Sequence, residues 1–298
     1  MRRTYRPSND RFSEKPVFQT LKITTAPKAR ACDLGIPFNG QTGKHNTITD
    51  VSGIETDHTT LIDEKGKEAI RAGVTVVFPK GKNSLDRVFA AWFTLNGNGE
   101  MTDTTWIDES GLSGSPILIT NTNSVGTVHD AVVKWYIDKS SDDDWDLAVV
   151  AKTWDGYFND VNGFHVKKEH VFEAMNSAKS DSGVEGNVGG GTGMVMHDFK
   201  GGIGTSSGKD EDQGPIIVTV PRMHPNQQAG KTNGLANLGM LPNEQIDLLF
   251  NAIIEATEES IVNAMIAAET MEGINGNKVY AIPHDRLITI LKKYNRIN

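Results

Sequence analysis

Pro116-Ile-Leu-Ile-Thr120, followed by Asn121-Thr-Asn-Ser-Val125, is the stretch on which the fold class turns. A short run of apolar and β-branched residues behind a proline reads as a buried strand. Ser124 then stands where a helix N-cap would, and Val125, Val128, Val132 and Trp135 follow at helical spacing, as one apolar face. Lys139-Ser-Ser-Asp-Asp-Asp-Trp145 ends that helix, and Leu147-Ala-Val-Val-Ala151 is another strand of the buried type. Strands interleaved with helices predict an α/β (α+β) chain in which sheets are covered by helices.

Outward from this unit the same grammar continues. Val74-Thr-Val-Val-Phe78, stopped by Pro79, reads as a strand, and Val88 to Leu95 is a second apolar run ending in Asn96-Gly-Asn-Gly-Glu100. His170 to Ala178 reads as a short helix and Ile216-Ile-Val-Thr-Val220 as a strand. The longest helix is expected from Pro242, a residue suited to a first helical turn. Its apolar face would hold Ile246, Leu249, Phe250, Ile253, Thr257, Ile261, Ala264, Met265 and Ala268. A last helix starts near Pro283 and carries Leu287, Ile290 and Leu291. Residues 1–30 read as an irregular arm, and 31–298 as one domain.

The bulk numbers narrow the class. With 298 residues, 37% of them hydrophobic, the chain can bury a sizeable core. A net charge of −8 and scattered basic residues argue against nucleic-acid binding. No window approaches a transmembrane span. The single cysteine, Cys32, fits a reducing compartment and a disulfide-free exported protein alike; with no apolar signal-like stretch after Met1-Arg-Arg-Thr-Tyr-Arg-Pro7, a cytoplasmic protein is expected.

Several motifs invite chemistry and fail it. Gly230-Lys-Thr232 lacks the earlier glycine of a phosphate loop, because position 225 is proline. Gly189-Gly-Gly-Thr-Gly193 misses the dinucleotide spacing, so it reads instead as a segment packed on another backbone or making tight turns. His165 and His170 stand five apart, off the zinc-protease spacing. His284, beside Asp285 at a helix start, suits a hydrogen-bonding role. Glu100, Asp103, Asp108 and Glu109 around Trp106 fit acid–base work and a turn-rich surface alike.

Taken together, longer motifs carry a family resemblance. Cys32-Asp-Leu-Gly-Ile-Pro-Phe-Asn-Gly40, Thr94-Leu-Asn-Gly-Asn-Gly-Glu-Met-Thr102, Trp154-Asp-Gly-Tyr-Phe-Asn-Asp-Val-Asn-Gly-Phe-His165, Glu185-Gly-Asn-Val-Gly-Gly-Gly-Thr-Gly-Met194 and Pro283-His-Asp-Arg286 stand in order. The chain resembles the DmpA-like L-aminopeptidase/D-esterase group, which includes the β-peptidyl aminopeptidases. The resemblance spans roughly residues 28–208 and 236–296. It implies an αββα sandwich related to the ornithine acetyltransferase fold. It also implies a precursor that cuts itself at a Gly-Ser bond, freeing a serine whose own α-amine, with a pKa of about 8, serves as general base. The implied substrates are peptides or amino-acid amides and esters, no metal or cofactor is needed, and the assembly is a homo-oligomer, commonly a tetramer.

The departures fall on the chemistry. The junction before the strand at 216–220 reads Gly214-Pro215, and proline offers no hydroxyl. The family's oxyanion asparagine stretch is missing between Gly208 and the junction. Residues 221–234 are too short for its serine/acid segment, so some of its segments are expected to be absent. Lys152 stands two residues before Trp154, where the family often has an acid, and would repel a substrate ammonium. Asn96, Trp106, Lys152, Trp154, Tyr157 and Asn187 remain as pocket candidates. An inactive scaffold or ligand binder is therefore the alternative to an autoprocessing aminopeptidase.

Overall fold

β-Branched residues crowd Glu55–Asp63 (β1) and Ile70–Phe78 (β2), which pair antiparallel from Glu55 opposite Phe78 to Asp63 opposite Ile70. Ile117–Asn121 (β3) runs antiparallel to β2, and Val149–Thr153 (β4) runs parallel to β3, giving a four-stranded sheet in the order β1-β2-β3-β4. A parallel pair needs a long crossover, and Val125–Lys139, the second helix, supplies it. The helices are Thr104–Ser110 (α1), Val125–Lys139 (α2), Lys168–Ser177 (α3), Ile246–Ile266 (α4) and His284–Lys293 (α5). This computed structural model describes residues 28–63, 65–140, 146–208 and 243–297. The strand expected at 216–220, the junction Gly214-Pro215 and nearly all of the N-terminal arm lie outside the described residues.

Side chains alternate across a strand, so each strand offers one face to the helices. Ile70, Ala72, Val74, Val76 and Phe78 of β2 join Leu118 and Val150 on that face. They pack against Val128, Val132 and Trp135 of α2 and Val171, Ala174 and Met175 of α3. The rings of Phe78 and Trp135 lie 5.3 Å apart at 47°. The opposite face is built differently. Gly73 and Thr75 of β2 and Thr60 of β1 meet the backbone of the Gly189–Gly191 turn. Gly189 N–H donates to the Thr60 hydroxyl at 2.9 Å and Gly190 N–H to the Thr75 hydroxyl at 3.1 Å. The glycine-rich stretch is thus a layer of backbone laid on a sheet, one of the two alternatives the sequence left open.

Three expectations need correction. Ser124 makes no side-chain cap; the turn Thr122–Ser124 before α2 is instead capped by Asn121, whose side-chain oxygen accepts the Ser124 N–H at 3.0 Å. The apolar run 88–95 yields only a two-residue strand, Val88–Phe89, and leaves Phe93 83% and Leu95 88% exposed. In α4 the expected apolar stripe is largely outward: Ile246, Phe250, Ile253 and Ile261 are exposed, while Glu259, Asn263, Ala264 and Ile266 are buried. The helix docks through polar atoms. Asn263 accepts the Ala31 N–H at 2.9 Å and donates to Thr205 O at 3.1 Å, and Glu259 accepts the Asn46 amide at 2.6 Å.

Gly126 lies in the first turn of α2, and a methyl group added there would meet nothing within 4 Å. Gly126→Ala is therefore expected to stabilise the chain by about 0.5 kcal/mol through helix propensity and a less flexible unfolded state. A small rise in the thermal midpoint checks this, and a fall would show that the site is not open.

Candidate active-site cleft

Trp154-Asp-Gly-Tyr157 leaves the end of β4, and its two aromatic side chains turn outward into one cleft. The cleft, of about 560 Å³, is lined by Trp154, Tyr157, Gly193, Val195, Asp198, Lys278, Val279 and Tyr280. Local sequence explains how it stays open. A side chain on Gly156 would strike the Trp154 indole, and one on Gly193 would strike the Arg71 carbonyl and Asp155. Tyr157 stands edge-on to the fully buried Phe158, with centroids 5.5 Å apart at 84°. The Tyr157 carbonyl accepts the Asn277 side-chain amide at 2.9 Å, which fastens the loop to the C-terminal segment.

Beneath the cleft lies a buried carboxyl. Asp155 accepts the side-chain amides of Asn121 at 3.0 Å and Asn159 at 3.1 Å, both on Oδ2. Asn159 in turn accepts the Arg71 N–H of β2 at 2.9 Å. One residue thus ties the start of α2, the second strand and the aromatic loop together. Burial pushes the Asp155 carboxyl up to about 6, against the opposing pull of the two amides. Its Oδ1 has no hydrogen-bond partner among the described residues.

Lys200 is a second buried charge, bonded to the backbone beside the lining residues Gly193 and Val195. It ends the hairpin made by Val195–Met196 (β5) and Phe199–Lys200 (β6), and its side chain is fully buried. The ammonium donates to the carbonyls of Met194 at 2.9 Å and Gly201 at 2.5 Å and lies 5.7 Å from the centre of the Phe158 ring. Burial, with a smaller push from Lys28, lowers Lys200 to about 7. A smaller cavity of about 180 Å³ opens on the glycine-covered side of the sheet, with Thr56, Thr75, Asp181 and Thr205 among its walls. His58 lines it too, paired to the Thr75 hydroxyl at 2.9 Å, and burial lowers it to about 4, so its ring is neutral.

The structure unites two of the sequence candidates and separates the rest. Trp154 and Tyr157 share the cleft. Lys152 does not line it; its ammonium pairs with Glu100 at 3.1 Å, so it is no bare charge facing a ligand. Asn96 caps the turn Gly97–Gly99, accepting from Asn98 N–H at 3.0 Å and Gly99 N–H at 3.1 Å. Asn187 is buried and clasps the Glu269 backbone in both directions, at 2.8 and 3.1 Å. Trp106 lies on α1, where the Ser110 hydroxyl donates to its carbonyl, and is not a cleft residue. The acids around it do not converge: Asp103 pairs with His129 at 2.7 Å, Asp108 accepts the Trp92 indole N–H at 2.9 Å, and Glu100 holds Lys152. His284 bonds the Ile266 carbonyl at 3.0 Å, the hydrogen-bonding role its place suggested. No group of potential metal ligands occurs among the described residues. Sequence reasoning named no role for Asp155, Asp198, Lys200, Lys278 or Tyr280.

This architecture is that of a known peptidase class: the chain belongs to peptidase family S58. The family's sequence pattern matches residues 46–221 and 212–279, two stretches that meet around Gly214-Pro215. The chain is 35% identical to beta-peptidyl aminopeptidase BapA of Sphingosinicella microcystinivorans, across 92% of this chain and 94% of that protein. That alignment runs over 373 positions, more than the 298 residues present here, so internal segments of the relative have no counterpart in this sequence. Among solved structures, the L-aminopeptidase D-Ala-esterase/amidase of Ochrobactrum anthropi, described as a variant of the Ntn hydrolase fold, superposes with a TM-score of 0.80 at 31% identity. The match covers 90% of this chain and 99% of that one. The PH0078 protein of Pyrococcus horikoshii OT3 gives 0.81 at 28% identity, covering 90% and 100%. The fold is therefore the mixed α/β Ntn-hydrolase type of this family. No helix among the described residues is long and apolar enough to cross a membrane.

Proposed function

We propose that this chain is an aminopeptidase/amidase by descent that keeps the family's ligand cleft and has lost its self-cleaving, hydrolytic step. The reading takes peptides and amino-acid amides or esters as ligands. It is supported by the aminopeptidase relatives, by the open aromatic cleft at Trp154 and Tyr157, and by Gly214-Pro215 at the expected junction. A cytoplasmic homo-oligomer belongs to the same reading, supported by the single cysteine and the outward apolar residues of α4.

The observation that carries the loss of chemistry is the fate of the nearest hydroxyls on the N-terminal side of the junction. Thr205 accepts the Ile48 N–H at 2.7 Å, and Ser206 donates to the Ala256 carbonyl at 2.8 Å. Ser207 donates to Asp50 at 2.8 Å and accepts the Gly43 N–H at 3.0 Å. Ser206 and Ser207 are buried. Burial alone would raise Asp50, but hydrogen bonds from His45, Ser207 and Thr47 outweigh it and hold the carboxyl below its ordinary value. Asp50 is thus a weak base for activating Ser207. An attacking hydroxyl needs an open approach and a competent base beside it; Ser206 and Ser207 are buried, and the carboxylate beside Ser207 is a weak base.

Intact-mass spectrometry and turnover of amino-acid p-nitroanilides test this. The expected outcome is one uncut chain, no turnover, and binding of amino-acid amides by calorimetry. Pro215→Ser alone should not restore turnover, because the oxyanion and serine/acid segments are missing as well. Fragments split at 214/215, or turnover by either form, would overturn the reading.

A further inference from the structure

We propose that Asp198 reads the free α-ammonium of the ligand, and that the cleft selects a first residue with a large apolar or aromatic side chain. This rests on the cleft being the ligand site. Four large apolar side chains face solvent within one concavity: Trp154, 65% exposed, Tyr280, 62% exposed, Tyr157 and Val195. Soluble proteins seldom gather apolar surface in this way without a ligand or partner to cover it. Aromatic faces also attract cations. The chain itself shows the pairing, since the Lys278 ammonium lies 5.3 Å from the centre of the Tyr280 ring.

Charge fixes the orientation. Of the described lining residues, Asp198 is the one acid and Lys278 the one base. A ligand with an ammonium at one end of its first residue and a carbonyl oxygen at the other finds both a carboxylate and an ammonium among the residues lining the cleft. Lys152 plays no part, being paired to Glu100 outside the cleft.

The placement of Asp198 is specified and not incidental. Met196 pairs with Phe199, so His197 and Asp198 form a two-residue hairpin turn, and both are left-handed, at φ 49° and 64°. Such turns favour Asn-Gly. Holding two other residues there is unfavourable, and such strain clusters at ligand sites. Below the turn, the Lys200 N–H donates to the Tyr280 carbonyl at 2.9 Å, which fixes the hairpin relative to the aromatic wall.

Calorimetry on the full chain with L-phenylalaninamide and its N-acetyl derivative tests the assignment. Asp198→Asn and Asp198→Gly both suit a left-handed backbone, so neither should disturb the turn. The expected result is that phenylalaninamide binds the natural sequence about 10-fold more tightly than the acetylated form. Each variant should lose that margin, which is about 1.4 kcal/mol, and bind the acetylated form unchanged. If phenylalaninamide binds the variants as it binds the natural sequence, Asp198 is not the reader, although the cleft remains the ligand site. Equal loss of both ligands in the variants would likewise overturn the assignment. If the natural sequence binds neither ligand, the cleft reading falls and the role of Asp198 with it.

Discussion

Gly190→Ala is expected to remove about 3 kcal/mol or more of stability, enough to leave much of the chain unfolded or insoluble at 37 °C. The added methyl would stand 2.7 Å from the Ile119 carbonyl oxygen and 2.9 Å from its carbon, both backbone atoms of a central strand. Flexible side-chain ends can swing away from such a contact, but a strand paired on both sides cannot. Either the turn lifts, breaking the Gly190 N–H bond to Thr75, or β3 is pushed out of register with β2 and β4. Domains of this kind have only about 5–15 kcal/mol in total. Urea denaturation of the two proteins side by side checks the value, and Gly126→Ala serves as the open-space control. A midpoint within experimental error of the natural chain would show that the glycine layer is not seated on the sheet.

Asp155→Asn is expected to stabilise the chain by about 2–3 kcal/mol at pH 8 and to change it little at pH 4. A carboxyl raised from 3.8 to about 6 holds its proton more tightly in the folded chain than in the unfolded one. Its favourable contribution is complete below about pH 4. It is lost as pH rises through about 6, a difference of about 3 kcal/mol at 1.4 kcal/mol per pH unit. Asparagine keeps one oxygen to accept both the Asn121 and Asn159 amides, and its own amide takes the place of the oxygen with no partner among the described residues. The desolvated charge disappears while the hydrogen bonds stay. Asp155→Ala should act in the opposite direction, leaving two buried amides without acceptors at a cost of about 3 kcal/mol. Chemical denaturation across pH 4–8 separates the three proteins. Parallel pH profiles for the natural chain and the Asp155→Asn variant would refute the buried titration.

Much of the sheet was legible because local composition and burial coincide there. Val74–Phe78 lies wholly in a strand, and of the runs Pro116–Thr120 and Leu147–Ala151 all but Pro116, Leu147 and Ala148 do. Where composition and burial part company, the sequence misleads. Phe93 and Leu95 look like core and face solvent. The period of α4 marks an apolar stripe, yet the helix is seated by Glu259 and Asn263, whose partners Asn46, Ala31 and Thr205 are remote in the chain. The site was legible only where aromatics stand out. Trp154 and Tyr157 were visible beside a recognisable motif; Asp155, between them, gives no sign of burial until Asn121 and Asn159 are folded around it. Tyr280, Lys278 and Asp198 become neighbours of that loop through bonds between segments remote in sequence, Asn277 to Tyr157, Ile274 to Phe158 and Lys200 to Tyr280.

The bonds that join the C-terminal segment to the rest of the molecule have a consequence for chain continuity. Ala31 to Asn263, Asn187 to Glu269, Phe158 to Ile274 and Lys200 to Tyr280 all bridge residues on opposite sides of the 209–242 interval, as do the walls of the cleft. The two flanks are clasped by contacts and not merely by the peptide between them. A backbone scission anywhere in that interval would therefore leave the two flanks, and the cleft between them, held together by these bonds.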